Sequence, residues 1–106
     1  MEMDFEDFWV KLQRSLSPRQ EIINWTADKG KTGENFTAES DVGNYIIISP
    51  QSAQNDQRVP KADFKLIFDN WQMYLNRKVR RSDLMQQSRF TKYTISILHQ
   101  YQNLMA

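Results

Sequence analysis

The apolar residues near the start of the chain fall at helical spacing. Phe5, Phe8, Trp9, Leu12 and Leu16 sit at i, i+3, i+4, i+7 and i+11, one stripe on a helix of 3.6-residue period. Asp4 stands where a capping carboxylate belongs. Ser17-Pro18-Arg19-Gln20 follows, with a serine for the cap, a proline for the first helical position and a glutamine to complete a capping box. This predicts a second, short helix with Ile22, Ile23 and Trp25 inward, ended by Gly30 and Gly33.

The period then changes. Phe36–Ser40 and Asn44–Ser49 read as two strands, with Asp41-Val42-Gly43 as the turn between them. The apolar run Tyr45–Ile48 predicts a strand covered on both faces. A two-stranded hairpin is marginal alone, so it must pack on helices, and a strand from a second chain would settle its open edge. Residues 50–60 are polar, lie between two prolines and read as a loop.

From Pro60, placed at the first helical position, the chain reads as helix. Phe64, Ile67, Phe68, Trp71, Tyr74 and Leu75 predict one long helix ending near Asn76. A short helical segment, Arg80–Gln87, carries Leu84 and Met85. Ser88–Thr91 makes a corner. A last helix, capped by Thr91, turns Tyr93, Ile97, Leu98, Tyr101 and Leu104 inward. The same periodicity assigns Trp9, Trp25 and Trp71 to the core or its margin. The expected fold class is α+β in a single domain, 1–106: N-terminal helices, a β-hairpin, then a C-terminal three-helix unit.

Composition removes several function classes. The 106 residues include no cysteine, which excludes a disulfide scaffold, a thiolate zinc site and a cysteine nucleophile. The single histidine, His99, excludes sites that need two, and no nucleophile-elbow pattern gives it a catalytic partner. Gly30-Lys31-Thr32 matches the end of a phosphate-binding loop, but Trp25 occupies the place of the first glycine. The acids Asp4, Glu6 and Asp7 suit a helix N-terminus. No calcium-ligand spacing is present. No metal, cofactor or catalytic residue is expected, and the protein reads as non-enzymatic. No apolar run approaches the ~20 residues that span a bilayer. The acidic start lacks a signal-peptide pattern, so no membrane contact is expected and a cytoplasmic location is.

Charge adds the one functional signal. Residues 1–50 carry nine acids and five bases, whereas residues 51–106 carry four acids and nine bases. Arg77, Lys78, Arg80, Arg81, Arg89 and Lys92 are opposed only by Asp83 within their stretch. Such asymmetry marks a surface that meets something negative.

Residues 61–104, with their basic corner, resemble a helix-turn-helix unit. Leu84 and Gln87 or Ser88 stand where such units usually carry a small residue and a glycine. The resemblance implies DNA binding, with Arg89, Thr91, Lys92, Thr94 and Ser96 offered to a groove and Lys78, Arg80 and Arg81 on phosphates. The alternative expectation is a protein-interaction or assembly module, in its simplest form a homodimer, with the hairpin edge and the aromatic residues as its surface.

Overall fold

Asp4 starts the first helix as its position predicts. Its Oδ1 accepts the Asp7 N–H at 3.0 Å, satisfying a donor that a helix N-terminus leaves free. In this computed structural model, which describes residues 4–52 and 55–105, α1 (Phe5–Ser15) buries Phe5, Phe8, Trp9 and Leu12 and leaves Lys11 and Arg14 in water. Leu16 closes the stripe from the cap position, fully buried.

The following segment is strand rather than the expected second helix. It forms β1 (Gln20–Ile22), β2 (Trp25–Thr26) and β3 (Gly30–Lys31). Gln20, expected to complete a capping box with Ser17, instead donates through Nε2 to the Pro18 carbonyl at 3.0 Å. Ile22 is buried while its neighbour Ile23 is exposed, the alternation of a strand. Long-range pairing overrides local helix signals here, because β1 runs antiparallel to β4 (Phe36–Asp41), with Ile22 opposite Phe36.

The predicted hairpin is present as β4 and β5 (Tyr45–Pro50), and the polar stretch after it contributes a further strand, β6 (Gln57–Pro60). The sheet order is β1-β4-β5-β6, antiparallel at each junction, so strands of this same chain flank the hairpin on both sides. Ile22, Phe36, Ala38, Ile46, Ile48 and Val59 are its buried residues. The other face is half covered rather than fully covered: Tyr45 and Ile47 are half-buried, and the Arg58 guanidinium lies 3.7 Å from the Tyr45 ring centroid.

The long helix expected from Pro60 is two helices. Pro60 is the cap, and α2 (Lys61–Asp69) gives way to α3 (Trp71–Leu75) at Asn70. The Asn70 side chain donates to the Leu66 carbonyl at 2.8 Å, the local competition that makes asparagine a poor interior helix residue. Next come α4 (Arg81–Leu84), α5 (Thr91–Gln100) and a 3₁₀ turn over Gln102–Met105. The buried faces of sheet and helices share one hydrophobic core. Among the described residues the architecture is therefore α+β, five α-helices with a four-stranded antiparallel sheet and a two-stranded ribbon. Among the described residues no helix is long and apolar enough to cross a membrane.

A candidate anion-binding cleft

The final helix does not present the face that a groove-reading helix needs. It packs on α2, β1 and β2 and buries Thr91, Thr94, Ile95, Ser96, Ile97 and Leu98. Thr91 is 1% exposed and Thr94 and Ser96 are 0% exposed, so the three hydroxyls read as outward from sequence lie inside. Their polarity is absorbed locally. Thr94 Oγ1 donates to the Phe90 carbonyl at 3.1 Å. Ser96 Oγ donates to the Lys92 carbonyl at 3.0 Å and accepts the Trp25 N–H at 3.0 Å. Lys92 is the exposed residue of this helix.

The Ser96 bond fixes β2, and β2 fixes the turn that forms one wall of a cleft. Ala27-Asp28-Lys29 make that turn, with Gly30 at φ 68 returning the chain into β3. The opposite wall is the end of α3 and the segment after it. The cleft encloses about 310 Å³ between Ala27, Asp28, Tyr74, Arg77, Arg80 and Arg81. A neighbouring hollow of about 360 Å³ shares Asp28, Tyr74, Arg80 and Arg81 and adds Lys29, Thr26, Thr32, Ser82 and Met85.

The Tyr74 hydroxyl accepts the Ala27 N–H at 2.9 Å. Burial raises the Tyr74 pKa above its ordinary value; the bond from Ala27 and the nearby Arg81 and Arg77 charges oppose that shift, and Asp28 adds to it. The phenol therefore stays protonated at neutral pH and keeps its O–H for an acceptor.

Arg77 ties the two walls together. Its Nη1 donates to Asp28 Oδ1 at 2.8 Å and its Nη2 to the Ala27 carbonyl at 2.9 Å. Arg77 also occupies the left-handed region, at φ 62. The reason is a helix stop: the Lys78 N–H bonds the Met73 carbonyl at 2.8 Å and the Arg77 N–H bonds the Tyr74 carbonyl at 3.1 Å. Glycine usually fills this position, and a side chain there costs roughly 1–2 kcal/mol.

The basic residues named from sequence fall into separate places. Arg80 and Arg81 line the cleft. Arg80 is exposed, and its backbone N–H donates to the Asp83 carboxylate at 2.9 Å. Arg81 is half-buried, and its Nε is buried with no hydrogen-bond partner among the described residues. Lys78 is exposed on the connecting segment. Arg89 lies over the Phe90 ring, 4.8 Å from its centroid. Lys92 borders a different groove, of about 290 Å³, with Glu34, Asn35, Gln51 and Tyr93. The ion pairs of the described residues engage Arg19, Arg58, Lys61, Lys65 and Arg77. Lys78, Arg80, Arg81, Arg89 and Lys92 have no such partner among the described residues.

Asp28, Lys29 and Tyr74 were not among the sequence-derived site residues. Tyr74 carries the periodicity of a core residue, and Asp28-Lys29 sit in a segment that reads as helix. Arg77 belonged to the basic cluster, but its role as a tie depends on a contact 49 residues away. His99 is occupied in packing: its ring stacks on Trp25, 3.7 Å between centroids and 7° between planes. Gly30 and Lys31 belong to the ribbon, and the Thr32 N–H bonds the Asn24 carbonyl at 2.9 Å. No family model, no curated protein and no solved structure matches this chain.

Proposed function

We propose that this protein is a non-enzymatic nucleic-acid-binding module that engages phosphates through the cleft of Arg80 and Arg81. Phosphate contact replaces helix insertion in this reading, since the last helix keeps its hydroxyls inward. The observation that carries it is the unpaired state of the cations. The side-chain nitrogens of Lys78, Arg80, Arg81, Arg89 and Lys92 have no carboxylate within 4.0 Å among the described residues, although the chain has thirteen acids to offer. The acidic first helix spends its ion pair elsewhere, Glu6 on Lys61 at 2.6 Å. Arginine suits the task because its planar fork meets two phosphate oxygens at once. The assembly reading has less to stand on: the exposed large apolar residues Val10, Ile23, Val42, Met73 and Met85 come from five separate segments.

The test is binding of fluorescently labelled single-stranded and duplex oligonucleotides across a salt series. Two to four phosphate contacts give a slope of log K against log salt of about −2 to −4. The charge reversal Arg81→Glu should remove most of that binding at low salt. Binding that ignores both salt and Arg81→Glu would overturn the reading.

A further inference from the structure

We propose that the cleft clasps the terminal phosphate of a nucleic-acid strand, a phosphomonoester, in preference to an internal diester. The inference rests on the nucleic-acid reading above and assigns the class of group that this site takes.

Shape is the first reason. Three chain segments wall the cleft: the 27–29 turn, the end of α3 and the segment running into α4. A strand end can turn all three terminal phosphate oxygens toward these walls, whereas an internal phosphate offers only its two non-bridging oxygens. The second hollow meets the first over Asp28, Tyr74, Arg80 and Arg81. Its Thr26, Thr32 and Ser82 hydroxyls suit sugar oxygens, and Met85, 51% exposed, offers a polarisable surface to a base.

Charge is the second reason. Lys29, Arg77, Arg80 and Arg81 surround the two hollows with Asp28 as the lining carboxylate. A diester brings one negative charge; a terminal monoester brings about −1.5 to −2 at neutral pH and three strong acceptor oxygens. The site has the cations to match the larger charge. Asp28 would repel it, but Arg77 holds that carboxylate at 2.8 Å and so turns a repulsive group into part of the wall. Arg81 lines both hollows and has no carboxylate partner among the described residues; its Nε is buried, so its charge is offered through the end of the guanidinium. The partly desolvated floor at Tyr74 strengthens each such contact.

The experiment compares three oligonucleotides of one sequence, internally labelled, carrying a 5′-phosphate, a 3′-phosphate or neither, with the full chain. A terminal phosphate on at least one end should tighten binding about ten-fold, the worth of one charge-assisted bond. The gain should shrink at pH 5, below the second phosphate pKa of about 6, while the unphosphorylated strand is bound as before. Arg81→Gln and, separately, Arg80→Gln should each reduce the gain, and Lys11→Gln, on the exposed side of α1, should leave it. Thermal melts check that each variant is folded. Equal binding of all three strands would overturn the end-clasp and leave the nucleic-acid reading standing, as would a gain that survives both cleft variants. Binding of none would overturn both.

Discussion

Helices α1 and α5 are nearly equal in length, eleven and ten residues, yet they relate to water in opposite ways. The first buries four side chains and turns its charges outward. The last buries six, half of them hydroxyl-bearing, because sheet strands and α2 pack against it. The difference teaches that a polar residue on a helix marks an exposed face only when one side of that helix is unpacked. A threonine or serine can return its hydrogen bond to a carbonyl one turn back and then sit in a core. The basic residues of the C-terminal third other than Lys92 accordingly lie on the connecting segments and at the cleft, and the buried side of the helix behind them is scaffold.

A matched pair of substitutions tests this most severely. Ser15 on α1 and Ser96 on α5 both donate to the carbonyl four residues back, at 2.9 Å and 3.0 Å. Ser96 alone also accepts a backbone N–H from another element, that of Trp25. Ser96→Ala orphans that donor and should cost about 1–3 kcal/mol. Ser15→Ala should stay within about 0.5 kcal/mol. Urea unfolding measures both, and equal costs would mean that α5 is no more embedded than α1. Ser96→Ala should also weaken oligonucleotide binding, since β2 carries the cleft wall.

Much of α1 was legible in the sequence for the same reason that α5 was not. One solvated face produces a readable stripe, whereas the unbroken apolar run Tyr45–Ile48 conceals the alternating burial of β5. The apolar side of α5 was readable at Ile97 and Leu98. Its inward hydroxyls were not, because nothing local distinguishes a buried threonine from a wet one. The strands β1 and β6 were illegible because their evidence lies across the sheet: Ile22 opposite Phe36, Val59 opposite Ile46. The cleft was half legible. Arg80 and Arg81 announced themselves by charge, while Tyr74 and Asp28 reach the site only through contacts between segments some 47 to 49 residues apart.

The stack of His99 on Trp25 extends the comparison to pH. Burial lowers the His99 pKa below its usual 6.5, so the folded protein holds that proton less well than the unfolded chain. The resulting stability is complete above about pH 6.5 and declines as the pH falls below that value toward the lowered pKa. His99→Gln should flatten this part of the profile of melting temperature against pH, a smaller effect than that of Ser96→Ala. An unchanged slope would show that the ring is as hydrated as a residue on the outer face of α1.

Arg77→Gly should have only a small effect on stability and separates folding from function most cleanly. Glycine relieves the left-handed backbone, worth roughly 1–2 kcal/mol, but adds chain entropy to the unfolded state, a loss of about 0.5–1 kcal/mol. It also removes an ion pair whose side chains are 63% and 76% exposed, and exposed pairs contribute only about 0–1 kcal/mol. These opposing terms nearly cancel, so unfolding should shift by less than about 1 kcal/mol. The cleft has no such compensation. Without the guanidinium, Asp28 faces the anion unneutralised and the 27–29 turn loses its tie to α3. Oligonucleotide affinity should therefore fall several-fold in a protein of nearly unchanged stability. A clear gain in stability with unaltered binding would show that Arg77 serves neither the fold nor the site. A large loss of stability would show that the tie holds up the fold itself and is scaffold rather than part of the proposed binding surface.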